Sequence, residues 1–468
     1  MLRNQKAEIV ALLLAEKFAS DPIERRNPGC PIPLTAVQDL WWEANHAVAA
    51  EPNMSIRPCY DALCIEGPLN ADLLQIAVDA VVDRHESLRT RIVFHDARPF
   101  QEVDPPKNHE VEVVDLSRVH AGGRDVEVVR LATELVYQEI DLSIGPLFDA
   151  KLFKVSNDRH VLVLVLDHFI ADGLSVGILE REIWDRYRQL AQGLSCDSTP
   201  PTIQFSDYAV WQKNFYPVWM KRHSEYWRRL LTGSRRTCIP APKSLQSIEV
   251  PGGDVMEVPF GAHLSGLLRA VARKERTSTA LVVLTIYIAV MARWCDQTDL
   301  LVSFVTDGRY RAELVNMIGD LAYHLHLRII TSSDDTFMSL LRKIIFEYRA
   351  AYEHQDFGWV PAVIPECRGL FTSTDLYFNW IADRPKLGQR PTRAGNLDDV
   401  CVEPFPFQIK WPIGFRLYFV DSTDGIRATI QFRPDYIQHE ILERLAKLLQ
   451  SFAAGFVTDP MKHLSLVE

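Results

Sequence analysis

Side chains that can hold or move protons lie close together after a long apolar stretch. Six apolar residues, Val161–Leu166, run directly into Asp167 and His168, and Asp172 and Gly173 follow the histidine closely. Imidazole titrates near neutral pH and is the usual group for acid–base catalysis. Glycine permits a sharp turn, and an acid beyond the turn can bind an arginine. The stretch predicts a proton-transfer site on His168; the alternative is an ordinary surface histidine beside a helix N-terminus.

The elements that must position this site alternate between helices and strands. Val161–Leu166 is apolar on both faces, which indicates a strand inside a sheet that is covered by helices. Helical spacing of apolar residues follows Gly173 and recurs at residues 263–275, 279–295, 334–354 and 438–453. We therefore expect an α/β (α+β) fold. The small, polar, Pro-containing stretch Leu190–Gln204 predicts a boundary between two lobes, residues 1–195 with the candidate site and residues 196–468.

Composition limits the kind of partner and compartment. The 468 residues carry a net charge of -10, which argues against a nucleic-acid partner. The eight cysteines form no CxxC pair, a pattern that suits the reduced thiols of a cytoplasmic protein. The apolar stretch Thr279–Cys295 is too short to cross a bilayer. We expect it to be a buried core helix, and we expect no membrane contact.

The candidate site resembles the HHxxxDG motif of the condensation domains of nonribosomal peptide synthetases. It stands here as DHFIADG, and His168 matches the catalytic histidine of the family. Other stretches are similar to further family motifs in the family's order: PLTAVQ (33–38), RHESLRT (84–90), DLSIGPLF (141–148), FSDYAVWQ (205–212) and, less closely, IGDLAYHLHLR (318–328). An isolated HxxxDG is weak evidence, whereas this ordered set along most of the chain is specific.

The resemblance implies two chloramphenicol-acetyltransferase-like lobes that form a V-shaped pseudo-dimer with a tunnel between them. A carrier-protein thioester would bring an acyl or peptidyl group from one side, and a small or carrier-bound amine (a hydroxyl as second choice) would enter from the other. His168 would lie midway, with backbone N–H groups near Gly173 holding the oxyanion. The phosphopantetheine arm would come from the partner, so no permanently bound cofactor is expected. Since no carrier or adenylation motif is found in the sequence, we expect a free-standing, monomeric enzyme that acts in trans.

The resemblance also assigns roles to residues distant in sequence. The aspartate of the family motif is structural and pairs with an arginine. Asp172 takes that position here, with Arg309 as the first candidate for its partner and Arg84 as the second. The fifth motif of the family lines the substrate channel, which predicts that Tyr323 and His324 lie there.

Asp167 departs from the family motif, which has histidine at this position. Together with Asp172 and Ser175 it matches the DxxxxDxxS signature of heterocyclisation domains, which therefore remain an alternative. A buried carboxylate must be paired or protonated, and we expect Asp167 to be paired with a cation. On that basis Asp167→Asn should lower turnover more than Asp167→His.

Two further features carry weaker predictions. The basic stretch 221–236 contains Arg228 and Arg229, which we expect to dock an acidic carrier protein or its phosphate; the alternative is a solvated helix face. His324 and His326 share one face of a strand, but no third ligand is evident, so no metal site is expected. An acyl-CoA-dependent acyltransferase and a non-catalytic platform that recruits a partner also remain open as functions.

Overall fold

The computed structural model describes residues 22–46, 58–96, 98–196, 199–235, 237, 239–240, 253–355, 376–382, 400–411 and 414–466. Its strands are β1 (Ile32–Pro33), β2 (Cys59–Glu66), β3 (Thr90–His95), β4 (Arg98–Val103), β5 (Glu112–Asp115), β6 (Phe148–Lys154), β7 (Arg159–Leu166), β8 (Asp254–Pro259), β9 (Asp299–Thr306), β10 (Tyr323–Ile330), β11 (Leu376–Ala382), β12 (Cys401–Pro404), β13 (Phe415–Ser422) and β14 (Gly425–Phe432). Its α-helices are α1 (Ala36–His46), α2 (Ala71–Arg84), α3 (Arg124–Tyr137), α4 (Gly173–Ala191), α5 (Phe205–Leu231), α6 (Gly261–Lys274), α7 (Thr279–Trp294), α8 (Phe337–Glu353) and α9 (His439–Thr458).

A five-stranded sheet carries the candidate site, in the strand order β12-β2-β7-β6-β5. Its central strand β7 is antiparallel to both neighbours, and Val161–Leu166 is buried throughout. One face of β7 packs with residues of α2 and α4, and the other packs with residues of α3. Because helices cover both faces of β7, the run Val161–Leu166 is apolar throughout, as the sequence predicts.

The largest sheet has six strands, in the order β10-β9-β11-β13-β14-β8. The helices α6 to α9 contribute to the core on this sheet, and α7 is buried from Leu281 to Met291. The prediction of a core helix at this position is therefore confirmed.

No single helix among the described residues is long and apolar enough to cross a membrane. The helices α6 and α7 are long and apolar enough only when they are taken together, and the chain bends by 110° between them.

One strand pairing ties the halves of the chain together. Strand β12 lies late in the sequence, yet it pairs antiparallel with β2 in the five-stranded sheet, Cys401 opposite Glu66. A small third sheet, in the order β1-β4-β3, lies beside the first motif. The predicted division into residues 1–195 and 196–468 stays a prediction.

Hydrogen bonds join the stretches that resemble family motifs. Gln38 of PLTAVQ donates from Nε2 to the Phe169 carbonyl at 2.6 Å, inside the candidate site. Gln212 of FSDYAVWQ accepts from the backbone N–H of Ala36 at 2.8 Å, and Ser206 of the same stretch bonds Glu86 of RHESLRT. These separate stretches are therefore connected by hydrogen bonds around the end of β7.

Candidate active site

His168 lies on a short turn between β7 and α4. The turn is held at its start by the backbone N–H of Asp167, which donates to the Leu147 carbonyl at 2.8 Å. Phe169, Ile170 and Ala171 have no exposed surface. A backbone fixed on both sides in this way gives the imidazole a rigid position.

The ring of His168 faces a buried acid from the other half of the chain. Its Nδ1 lies 3.4 Å from Oδ1 of Asp320, whose side chain is fully buried. The second carboxylate oxygen of Asp320 accepts from the indole Nε1 of Trp41 at 2.9 Å. Nδ1 itself is buried, while 27% of the His168 side chain is exposed. The exposed part of the side chain therefore does not include Nδ1.

Two opposing effects set the charge of His168. Burial disfavours the imidazolium, while the neighbouring Cys59 and Asp320 side chains favour it. The balance raises the pKa of His168 well above its usual value. We regard Asp320 as the stronger cause, because a neutral thiol cannot stabilise a cation as a carboxylate does. The direction of this shift favours the imidazolium form.

A buried ion pair below the turn joins the two halves of the chain. Arg309 donates from both terminal nitrogens to Asp172, at 2.7 Å and 3.0 Å, and the Asp172 side chain is 1% exposed. The same carboxylate caps α4 through the backbone N–H of Ser175 and accepts from those of Leu321 and Ala322. Burial would raise the pKa of Asp172, but Arg309 and Ser175 outweigh it and lower the pKa. Arg309, the first candidate, is thus the partner that the structure gives to Asp172.

Gly173 does not make the turn that the sequence analysis expected of it. It is the first residue of α4, its φ is not positive, and a Cβ there would meet nothing within 4 Å. The glycine that needs its conformational freedom is Gly308, next to Arg309. It has a φ of +64°, and a Cβ there would lie 1.9 Å from the Leu321 carbonyl oxygen. Close backbone packing at Gly308 therefore brings Arg309 to Asp172.

We expect Gly308→Ala to destabilise the protein by at least about 2 kcal/mol, because a positive φ and an overpacked backbone each cost about 1–3 kcal/mol. The matched control is Gly233→Ala, where φ is +73° but a Cβ would meet nothing within 4 Å. Chemical denaturation of both variants separates the clash from the backbone strain. Equal destabilisation of the two would contradict the close approach at Gly308.

Among the described residues, Asp167 has no arginine or lysine partner. Its carboxylate accepts the backbone N–H of Phe169 at 2.9 Å. Burial is the main reason that the pKa of Asp167 is raised, and Asp320 adds to the effect. Asp167 therefore serves the backbone of the turn, and the cation that acts on it is the adjacent His168, whose charge acts to lower that pKa.

This geometry reverses the expected ranking of two variants. An asparagine at residue 167 can still accept the Phe169 N–H, so Asp167→Asn should lower turnover by less than about 10-fold, the scale of one hydrogen bond of ~1 kcal/mol. Asp167→His loses the short acceptor and should be the more damaged variant. Steady-state rates of both variants with one donor and one acceptor give the comparison. A 100-fold loss in Asp167→Asn alone would show that the charge matters.

Arg84, the second candidate for the Asp172 partner, lies elsewhere. Its Nε is 3.1 Å from Oε2 of Glu182, and that oxygen is also 3.1 Å from Nε2 of His85. This cluster lies between α2 and α4, so Arg84 is occupied there and does not reach Asp172.

The two residues predicted to line the channel differ in their placement. Tyr323 is 4% exposed and packs in the core of the second half, where its hydroxyl bonds Gln355. His324 points to the opposite face of β10, with its ring 5.3 Å from that of Tyr377. Burial, with Arg416 and His168 as neighbouring cations, lowers the pKa of His324 to about 3. His324 is therefore a neutral imidazole near His168, and Tyr323 supports the strand behind it.

The described residues contain no group of three or more His, Cys, Asp or Glu side chains that could hold a metal. His326, the other histidine of this strand face, is fully buried and lies 3.1 Å from the Ser303 hydroxyl through Nδ1.

Arg228 and Arg229 lie in the last turn of α5, far along the chain from His168. Both are exposed, and Arg228 is 3.5 Å from Glu225 on the same helix. Their placement gives an accessible basic surface.

Asp320 is the site residue that sequence reasoning missed. It lies inside the stretch IGDLAYHLHLR, but nothing in the spacing of that stretch connects residue 320 to residue 168. The only available signal was an acid that immediately follows Gly319 in a stretch matching a family motif. Trp41, whose ring centroid is 5.8 Å from that of His168, had no signal in the sequence that pointed to the site.

Comparison with known proteins decides the family. The profile of the condensation-domain family matches residues 32–360. The chain belongs to the condensation-domain family. A linear gramicidin synthase of Brevibacillus parabrevis is 26% identical over 99% of the chain. Nonribosomal peptide synthetase kk1B of Curvularia clavata is 29% identical over 87% of it. The chain spans only 9% and 3% of the lengths of these two relatives.

Solved structures show the same fold for this condensation-family chain. The X-domain from teicoplanin biosynthesis has a TM-score of 0.79 at 20% identity, covering 96% of this chain and 99% of its own. The first condensation domain of the calcium-dependent antibiotic synthetase has a TM-score of 0.74 at 19% identity, covering 94% and 99%. A starter condensation domain of rhizomide synthetase, in complex with C8-CoA and Leu-SNAC, has a TM-score of 0.75 at 15% identity, covering 94% and 97%. The predicted chloramphenicol-acetyltransferase-like α/β fold is confirmed.

Proposed function

We propose that this chain is a condensation-type acyltransferase that moves an acyl or peptidyl group from a carrier-protein thioester, supplied in trans, to an amine acceptor. The observation that carries the proposal is the imidazole of His168. It is fixed at the end of β7, its Nδ1 lies 3.4 Å from a buried acid, and its side chain is partly exposed. Membership of a family of amide-forming domains supports the same chemistry.

The chemistry at this site is a substitution at the thioester carbonyl. The amine nitrogen forms the new C–N bond, the C–S bond breaks, and the sulfur of the phosphopantetheine arm leaves as a thiol. One proton must pass from the attacking nitrogen to the leaving sulfur. Nε2 of His168 is placed to hold that proton in transit, and the imidazolium also stabilises the oxyanion of the tetrahedral intermediate. No covalent acyl-enzyme is required.

The exposed arginines of α5 give the carrier protein a docking surface in this proposal. Reversing the charges with Arg228→Glu and Arg229→Glu should weaken turnover with a carrier-bound donor and spare a small thioester mimic, because rim charges act on encounter rate. The matched control is Arg273→Glu with Lys274→Glu, an exposed basic pair at the end of α6. The readout is turnover as a function of salt with both donors. Equal losses with both donors, or equal losses in the control, would contradict docking on α5.

Recruitment of a partner enzyme is the second candidate function. The X-domain that resembles this chain has also been solved in a complex with OxyB, at a TM-score of 0.78. A platform of this kind would bind its partner tightly and would not depend on His168. The bound and partly exposed imidazole of His168 favours the acyltransferase.

The test is to incubate the purified chain with a panel of amines and one acyl group presented as carrier-protein thioester, CoA thioester or small thioester mimic. Product mass identifies the reaction. We expect the amide from the carrier-bound donor. Preference for acyl-CoA would assign a CoA-dependent acyltransferase, loss of a second water would assign heterocyclisation, and no product from any donor would contradict the proposal.

A further inference from the structure

The contact between His168 and Asp320 crosses between two distant parts of the chain. His168 follows β7, and Asp320 lies in the loop before β10. The carboxylate is fully buried, and its two oxygens are divided between His168 Nδ1 at 3.4 Å and Trp41 Nε1 at 2.9 Å. No arginine or lysine of the described residues pairs with Asp320, and burial raises the pKa of its carboxyl, so the charged form needs a cation beside it. Among the described residues near it, the imidazolium of His168 is the cation placed to supply that charge.

We propose that Asp320 is a positioning residue that binds His168 through Nδ1 and keeps the ring charged, so that His168 presents an N–H from Nε2 to the reacting thioester. This inference rests on the proposed function for its role in turnover, although the pairing itself does not. It extends that function by stating the charge of the resting histidine, which donates its Nε2 proton before it accepts one. The donated proton stabilises the oxyanion first, reaches the leaving sulfur, and is replaced from the attacking nitrogen.

Other features of the loop make Asp320 suited to this role. The backbone N–H groups on its C-terminal side bind Asp172, so the ion pair of Asp172 with Arg309 also fixes the loop that carries Asp320. The Trp41 indole fixes the orientation of the carboxylate. A single rigid assembly therefore sets both the position and the protonation of His168.

Several other titratable or charged groups surround this pair, and each bears on the interpretation of a pH profile. These groups lie on the elements that surround the pair. They are Cys59 on β2, Asp167 and Asp172 on the β7–α4 turn, Tyr208 on α5, Arg309 and Arg311 in the loop after β9, and His324 on β10. Among the described residues, Cys59 and Asp320 are the side chains that favour the His168 imidazolium. Cys59 is therefore the competing explanation that the experiment must separate.

The experiment is an NMR titration of the full chain with 13C-labelled histidine, in which the His168 signal is assigned by its loss in His168→Ala. In Asp320→Asn the amide oxygen can still accept the Trp41 indole, but the charge is gone. We expect the His168 titration to move to lower pH in Asp320→Asn and to return toward wild type in Asp320→Glu. Cys59→Ser should move it less than Asp320→Asn does. An unchanged titration in Asp320→Asn, or a larger effect of Cys59→Ser, would overturn the pairing.

The pH–rate profile tests the catalytic half of the inference. With a charged His168 as the working form, wild-type turnover should fall as pH rises through the His168 titration. In Asp320→Asn that fall should begin at lower pH, with turnover at neutral pH reduced by about 10-fold or more. Asp185→Asn, an exposed acid on α4, is the matched control and should keep the wild-type profile. Turnover that rises through the His168 titration would overturn the proton-donor role while leaving the acyltransferase function standing.

Discussion

His168→Ala is expected to lower amide-forming turnover by about 100-fold or more while the protein stays folded, the usual scale for a lost acid–base group. The reason is geometric. The ring is partly exposed, so its removal costs little packing, although it leaves the buried Asp320 without its cation and should lower the free energy of unfolding. What it removes is the group that carries the proton and stabilises the oxyanion. Steady-state turnover with saturating donor and acceptor measures the effect.

The control for this variant is His263→Ala, which removes an exposed histidine on α6. It should keep wild-type turnover. Circular dichroism and thermal melting of both variants show whether the fold is intact. A folded His168→Ala protein with near-normal turnover would contradict the catalytic assignment and favour the recruitment platform.

Asp172→Ala has the second large effect, and here the expected loss is in stability. Removing one member of a buried ion pair leaves the other charge uncompensated, which costs about 3–5 kcal/mol. Arg309 would be that uncompensated charge, with its side chain 4% exposed. The capping bond of α4 and the two backbone bonds from the loop before β10 would be lost as well. Denaturant unfolding measures the change in free energy.

The control is Asp185→Ala, which removes the acid of an exposed pair with Arg188 on the same helix. Exposed pairs contribute about 0–1 kcal/mol, so this variant should stay close to wild type. Similar stability of Asp172→Ala and Asp185→Ala would show that the buried pair does not support the fold.

The pH dependence of this stabilisation has a definite sign. The pKa of Asp172 is lowered in the folded protein, so the contribution of the pair is fully present above the unfolded pKa of the carboxyl. It is lost as pH falls through the lowered folded value. The stability difference between wild type and Asp172→Ala should therefore shrink at acid pH.

The regular elements were predictable because their patterns are strong. The apolar run Val161–Leu166 falls within β7, and the helical spacing at 279–295 falls on α7. Both predictions were possible because burial requires apolar residues at regular positions along a strand or helix. For strand β12, which pairs with a strand more than three hundred residues earlier, the sequence shows no pattern that identifies the partner. Pairing between distant strands depends on the three-dimensional arrangement of the halves.

The candidate site was predictable only in part, for a similar reason. Family resemblance named His168, which lies inside a matching motif, and it predicted an arginine partner for Asp172, for which Arg309 was the first candidate. It could not find Asp320, since a carboxylate that binds an imidazole across the fold needs no particular spacing. The turn at Gly173 was predicted wrongly because glycine has several uses, and the sequence does not say which one applies. At Gly173 the structure shows open space, and at Gly308 it shows close packing.

The most direct test of the proposed function is a single turnover observed by intact mass spectrometry. Enzyme in excess over an acyl-loaded carrier protein is mixed with an amine acceptor, and the carrier and small-molecule fractions are measured over time. The proposed function predicts that the carrier returns to its free thiol as an amide of acyl group and acceptor appears, much faster with wild type than with His168→Ala. A carrier that binds the chain tightly but keeps its acyl group, or loses it at the same rate with both proteins, would contradict it.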